Sequence, residues 1–460
     1  MMTKCAAVIM AAGDNYRMKS AKPNVMLKLL SKPMIEWVIL AAKRSGIKNV
    51  AVISASTDNM VADYVSGSCE VFAQPEPHGT AHAVMQARSF IQRFEGGHVL
   101  ILNGDSPLMD AETIRNALVT HINDGNDATI ISAKVEKPFG YGRILRDENG
   151  NFVSIIEERD AASEIKKIDE ISSGAYWFKA ESLLKALDAM DPRSGGEYNL
   201  VDTVSWMAFQ GLKAGTSFAS KPEVVLGAND RLQLHELNHI ARRNVIEKHL
   251  EAGVDIPSFE SILIDPDVEI GMDTTIMPGT ILRGNVKIGR NCVIGPNTLI
   301  ENSSIGDDVI LNSVQCYNST VKKGANIGPF VHIRPNSVIG ENVHLGNFVE
   351  VKNSNIDMGT KVSHLTYVGD SDVGKRVNFG CGTVTVNYNG KAKFRTRIMD
   401  DAFIGCNTNL VAPVTVGEGA YTAAGSTITE DVPDAALGIA RARQVNKIGW
   451  RLNRDKDEND

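Results

Sequence analysis

The sequence predicts two domains of different architecture: an α/β domain with a Rossmann-like, mostly parallel sheet, then a left-handed parallel β-helix of hexapeptide repeats. Short β-branched runs alternate with amphipathic stretches up to Phe218, and beyond Ile270 the period becomes six. Between them lies NDRLQLHELNHIARRNVIEKHLEA, with helical periodicity and no Gly or Pro until its end. The expected boundaries are 1–228 for the first domain, 229–252 for a helical linker and 253–460 for the β-helix.

The bulk numbers fit. A chain of 460 residues is too long for one core, and 43% hydrophobic with 22% charged residues is ordinary for a globular protein. A net charge of -7 leaves no basic field for a nucleic acid or an anionic membrane, so any phosphate site must be built locally. Cysteines 5, 69, 292, 316, 381 and 406 lie far apart without a C-x-x-C pair, which predicts reduced thiols acting as small core residues. MMTKCAAVIMAAG carries no signal-cleavage pattern and no apolar run reaches membrane-span length, so a cytoplasmic protein is expected.

In the first domain AAVIM, PMIEWVILAAKRSG, NVAVISA, TAHAVMQARSFIQRF and HVLILNGD follow one another as strand, helix, strand, helix, strand. That order winds a parallel sheet right-handedly and puts ligands at the carboxyl ends of its strands. In the second, Ile270, Ile276, Leu282, Ile288, Ile294 and Ile300 recur every six residues. After a slip the register resumes at Val321, Ile327, Ile333, Ile339, Leu345 and Val351, then again at Ile398, Ile404, Leu410, Val416 and Ile428. Each six-residue unit supplies a short strand and a corner, with the aliphatic side chain inside the prism. The slips near Ile305 and at VNYNGKAKFRTR are expected to interrupt the coil, the second as a polar loop leaving the prism. Flat prism faces favour association about a threefold axis, so a homotrimer is expected.

The loop AAG-x-x-x-R-M, the segments LNGDSPL and GYGRI, and the prism motifs HLTYVGD, NFGCGTVTVNY, LVAPVTVGEGA and IARARQ together resemble one family. It is the bifunctional N-acetylglucosamine-1-phosphate uridylyltransferase and glucosamine-1-phosphate acetyltransferase family, whose first domain is a nucleotide-diphospho-sugar transferase. The resemblance covers nearly the whole chain and implies acetyl transfer from acetyl-CoA to glucosamine 1-phosphate. Transfer of UMP from UTP to N-acetylglucosamine 1-phosphate with Mg²⁺ follows.

Acetyl transfer needs a base for the amine proton and a donor for the oxyanion. His364, in SHLTYVGD, matches the family's catalytic histidine, and Glu350, in NFVEVK, is the expected group orienting its imidazole. Arg334, Lys352 and, from a neighbouring chain of the family's trimer, Lys393 are the implied cations for the sugar phosphate. Tyr367 and Asn378 match acceptor contacts, and Cys381, Asn387, Tyr388, Cys406, Ala424 and Arg441 match acetyl-CoA contacts.

For uridylyl transfer the resemblance assigns Met10, Ala11, Ala12, Gly13, Arg17, Asn24, Gln74, Gly79, Thr80, Gly142, Glu157, Ser172 and Asn229 to the nucleotide and sugar, and Asp105 with Asn229 to Mg²⁺. Departures cluster around the triphosphate. Asn15 replaces a Gly, Tyr16 a small or basic residue, and Asn24 a Lys, while Asp14 adds negative charge. These changes predict attenuated uridylyl transfer; the alternative is an acetyltransferase whose first domain binds a nucleotide-sugar without turnover. A zinc enzyme is a weaker reading: His332 and His344 lie twelve residues apart in the lattice, but His364 is out of phase as a third ligand.

Overall fold

The computed structural model describes residues 4–13, 16–56, 59–192 and 196–451, and the chain divides into two compact units, Met1–Arg242 and Arg243–Asp460. The helix Arg231–Glu251 spans that division.

In the first unit the sheet runs Ala214–Phe218, Ala128–Lys134, Glu170–Lys179, His98–Asn103, Cys5–Ala11, Asn49–Ala55, Glu70–Gln74. Glu170–Lys179 is antiparallel to both neighbours, and the other pairings along this path are parallel. Cys5–Ala11 is covered on both faces, which is why it reads as a continuous apolar run. Ala6 and Val8 enter one core, Ala7 and Ile9 the other. The helix Met34–Arg44 buries Met34, Ile35, Val38, Ile39 and Ala42 at helical spacing. Asp110 starts the helix Ala111–Asn123 by accepting a hydrogen bond from the Thr113 amide at 2.6 Å.

The second unit is the left-handed β-helix. Three ladders of short parallel strands form its faces, exemplified by Leu263–Ile264 on Ile281–Arg283, Thr275–Ile276 on Val293–Ile294, and Glu269–Ile270 on Lys287–Ile288. The repeated aliphatic residues point inward and are buried, except Ile270, half-exposed on the first strand of its ladder. Asn291, Asn302, Asn318 and Asn336 take positive φ at corners, a conformation Asn tolerates at low cost.

The slip near Ile305 does not interrupt the coil. Ile305 pairs with both Ile288 and Val321, and Leu311 and Cys316 continue the inward row. The steps from Ile300 to Ile305, Leu311 to Cys316 and Cys316 to Val321 are each one residue short, and shortened corners absorb the difference. The other slip is a true excursion: after Val384–Val386 the chain leaves the prism, bridges Tyr388 to Lys393, and rejoins at Thr396–Ile398. Cys292 and Cys316 are core thiols as expected, whereas Cys406 is exposed.

Candidate functional sites

At the carboxyl ends of the first unit's strands lies a cavity of about 750 Å³. Met10 and Ala11 reach it from the end of Cys5–Ala11, Gln74 from Glu70–Gln74, and Ser172 from the strand whose register shifts between Ser172 and Tyr176. Gly13, Arg17, Asn24, Gly79, Thr80, Gly142, Glu157 and Asn229 line it too, so every residue expected to meet the nucleotide or sugar, together with Ala12 and Asp105, converges on one space. Asp14 and Asn15 lie outside the described residues; Tyr16 is exposed.

Local contacts hold this wall in shape. Gln74 is buried and donates to the Gly79 carbonyl at 3.2 Å. Gly79 has φ 101°, and a Cβ there would strike the Tyr198 carbonyl. Thr80 Oγ1 accepts from the Leu200 amide at 2.8 Å. Asn199 was not singled out by sequence; it lines the cavity, and its buried Nδ2 has no hydrogen-bond partner. Such an orphaned donor suits a ligand oxygen. No local pattern marks it in NLVDTV.

Asp105 lines the same cavity. Burial pushes its carboxyl above the ordinary range, opposed by its own backbone, by Asn24 and by Arg17. Asn24 Nδ2 donates to Asp105 Oδ2 at 3.3 Å, and Arg17 donates to Asn229 Oδ1 at 2.8 Å. A desolvated carboxylate and an amide oxygen facing one polar cavity are the hard donors that Mg²⁺ prefers, so the residues fit that ion.

The second site is on the prism. His344–Lys352 and Lys361–Gly369 run as nine-residue strands through a corner that other coils make between two short strands. Phe348 (φ 58°) and Leu365 (φ 43°) turn that corner, beside Asn347 and His364, which pair across the two strands. Left-handed backbone at bulky residues is costly and gathers at functional sites.

His364 Nδ1 lies 3.0 Å from Asn347 Oδ1. This corrects the expectation for Glu350, whose carboxylate instead binds Arg334 at 3.0 Å. The reason is register: Asn347 stands opposite His364, while Glu350 stands opposite Tyr367. Asn347 opens the NFVEVK segment, but only the pairing of the strands reveals its partner.

Beside this lies a cluster of charge. Lys352 Nζ is 3.4 Å from Asp370 Oδ2, and both side chains are largely buried. Burial opposes the Asp370 charge, but hydrogen bonds from Asn353 and Asn387 and the Lys352 ammonium outweigh it and hold the carboxyl below its ordinary range. The polar excursion brings Lys393 against Lys352 of its own chain. That contact, with the repulsion of Lys352 and Arg334, holds Lys393 below its ordinary pKa. Lys393, the cation expected to come from a neighbouring chain, lies within its own chain against Lys352. Asn387 also donates to Tyr367 Oη at 3.4 Å, and Arg395 anchors the excursion on Asp372 at 2.6 Å. Asn378 stands apart on the adjoining ladder, in register with Lys361 and Phe403.

Residues expected to meet acetyl-CoA stack along another corner. The Asn407 amide donates to the Cys381 carbonyl at 2.7 Å and the Gly425 amide to that of Cys406 at 2.8 Å, with Ala424 and Arg441 on the coils beyond. Tyr388 is exposed on the excursion. His332 and His344 fall on different ladders, and among the described residues no group of three or more His, Cys, Asp or Glu could hold a metal.

Residues 6–221 match the nucleotidyl transferase family, and 267–302, 318–353 and 395–430 match the bacterial transferase hexapeptide (six repeats) family. The chain is 48% identical over 456 residues to the bifunctional protein GlmU of Caldanaerobacter subterraneus subsp. tengcongensis, covering 99% of each chain. The chain belongs to the bifunctional GlmU family. The GlmU proteins of Clostridioides difficile, at 44% over 96% of each chain, and Streptococcus thermophilus, at 42% over 97%, resemble it throughout as well. Like other members of the GlmU family, it is a bifunctional transferase, with a nucleotidyl transferase domain followed by a hexapeptide transferase domain. Among the described residues no helix is long and apolar enough to cross a membrane.

Proposed function

We propose that the prism acetylates the amine of glucosamine 1-phosphate with acetyl-CoA, and that the first domain then joins N-acetylglucosamine 1-phosphate to UMP from UTP. The observation that carries this is a cation cluster around Lys352 and an oriented imidazole, that of His364, on two paired strands. Arg334, Lys352 and Lys393 crowd together although Lys393 is held below its ordinary pKa by the crowding. A bound dianion relieves that repulsion. Tyr367, in the same strand as His364, contributes a hydroxyl to the cluster.

In this reading Asn347 Oδ1 accepts from His364 Nδ1–H, which leaves Nε2 as the base. The amine nitrogen attacks the thioester carbonyl while Nε2 takes its proton. The carbon–sulfur bond then breaks, and the proton passes from the imidazolium to the leaving thiolate. The stack of Cys381, Cys406, Ala424 and Arg441 is the proposed bed for acetyl-CoA.

In the first domain Asp105 and Asn229 would hold Mg²⁺, which when bound neutralises phosphate charge during the displacement. Arg17 and the orphaned Asn199 amide orient the nucleotide-sugar. Asn24 stands in the cavity where the family has a Lys, and it spends its amide on Asp105 rather than on a phosphate. This supports slow uridylyl transfer relative to acetyl transfer. The working form is proposed to be a cytoplasmic homotrimer. The reading is tested by assaying the purified chain for acetyl transfer from acetyl-CoA to glucosamine 1-phosphate, and separately for pyrophosphate release from UTP with N-acetylglucosamine 1-phosphate and Mg²⁺. Acetyl transfer is expected to run briskly and pyrophosphate release slowly. Failure of the first overturns the prism assignment.

A further inference from the structure

On the exposed side of the helix Arg231–Glu251, the sequence reads His235-Glu236-Leu237-Asn238-His239, which sets two imidazoles one turn apart on the same face. Leu234, Leu237, Ile240 and Ala241 bury the opposite side in a core with Leu29 and Met34. The Leu30 amide donates to Asn238 Oδ1 at 2.8 Å and pins this stretch further. The backbone carrying the two histidines is therefore fixed before any ligand arrives.

The rings face each other with centroids 4.4 Å apart at 80°, and Nε2 of His239 lies 2.9 Å from Nε2 of His235. One nitrogen must donate and the other accept, so the pair shares a single proton in the space between. Two metal–nitrogen bonds of about 2.0–2.1 Å set at a right angle span about 2.9 Å. The gap between the nitrogens thus matches two adjacent corners of a square-planar site. A tetrahedral ion needs a wider span of about 3.3 Å.

We propose that His235 and His239 form a two-imidazole chelate for a divalent transition metal of tetragonal preference, Cu²⁺ or Ni²⁺ ahead of Zn²⁺. The remaining positions take water, because among the described residues no third His, Cys, Asp or Glu completes the set. That also separates it from the hydrolytic sites built on the same H-E-x-x-H spacing, which need a further ligand and an enclosed pocket. Neither histidine is among the residues lining the first domain's cavity, whose oxygen donors suit a harder ion. Arg242 Nη2 lies 3.4 Å from His239 Nδ1 and favours the tautomer with a proton on Nε2. Metal binding moves that proton to Nδ1 and requires Arg242 to swing aside.

The test uses the full chain in excess Mg²⁺, titrated calorimetrically with NiCl₂, alongside Cu²⁺ electron paramagnetic resonance. The expected result is one Ni²⁺ per chain and a Cu²⁺ spectrum with two equatorial imidazole nitrogens. His235→Asn or His239→Asn each leave a monodentate site and weaken binding by about a hundredfold, through loss of the intramolecular second contact. Both exposed variants keep acetyl transfer, which checks that they fold. Wild-type chain that takes up no Ni²⁺, or a His235→Asn/His239→Asn double variant that binds it as tightly as wild type, overturns the proposal.

Discussion

Asn347 and His364 face one another across adjacent coils, with Oδ1 and Nδ1 3.0 Å apart. The amide oxygen can only accept, so it selects the tautomer whose Nε2 is free to take a proton. His364→Ala is expected to slow acetyl transfer by about a hundredfold to ten-thousandfold, the usual worth of a general base. Asn347→Ala is expected to lower kcat by about tenfold or more with little change in KM, and Asn347→Asp to recover part of it, since a positioned acceptor is what is lost. Unchanged kcat in Asn347→Ala would sink the positioning role.

The cation cluster predicts a division between two lysines. Lys393→Ala removes an exposed charge and should raise KM for glucosamine 1-phosphate without altering the melting temperature. Lys352→Ala should raise KM as well and also destabilise the prism by about 1–3 kcal/mol, because it strips a partner from the largely buried Asp370. Parallel steady-state kinetics and thermal melts of the two variants separate these outcomes.

Asn24 is the most accessible cause of a slow first domain. Asn24→Lys places an ammonium beside Asp105 and the cavity, and should accelerate pyrophosphate release by about a hundredfold to a thousandfold, the usual worth of one positioned donor at such a centre. No gain would mean that Tyr16, or a residue outside the described segments, limits the rate.

Chelation of divalent ions should divide the two activities. With excess EDTA, pyrophosphate release is expected to stop, because the Mg²⁺ proposed for Asp105 and Asn229 is removed. Acetyl transfer should continue at its full rate, since its chemistry rests on an imidazole and fixed side-chain cations. A coupled loss of both would contradict this division of labour.

A buried imidazole, His121, paired with the half-buried His98, predicts acid sensitivity in the first domain. His121 Nε2 lies 3.0 Å from His98 Nδ1, and its Nδ1 lies 2.9 Å from Thr129 Oγ1. Burial, and then the neighbouring His98 and Lys179, push the His121 pKa down from 6.5 to about 3. The folded state thus prefers the neutral ring. The stabilisation is fully present above pH 6.5 and is lost as pH falls from there towards 3, at about 1.4 kcal/mol per pH unit. Thermal melts of wild type between pH 7 and 5 should fall more steeply than those of His121→Gln.

Much of this was legible in the residues, for reasons that differ between the halves. The inward row from Ile276 to Ile428 could be read because a prism repeats one physical demand every six positions. Cys316 escaped that reading because shortened corners on both sides of it shifted the count, although the inward row itself never broke. The cavity's walls were legible where glycine or a strand end imposes a constraint, as at Gly79 and Met10. Asn199 and Asn347 were not, since an amide acquires its role only from what folding sets opposite it. Glu350 was misread for the same reason: it stands three register positions from the residue opposite His364 and binds Arg334 instead.

The excursion after Val386 leaves the lattice and returns to it without disturbing the register on either side: Ser371–Val373 still pairs with Thr396–Ile398, and Val384–Val386 with Asn409–Val411. The coil is therefore indifferent to how many residues the detour contains. Insertions and deletions there would carry little folding penalty, while substitutions in the inward rows would carry a heavy one. Lys393 and Asn387 ride on a stretch of the prism that can change length freely, so lineages could retune the proposed acceptor site without rebuilding the scaffold that holds it.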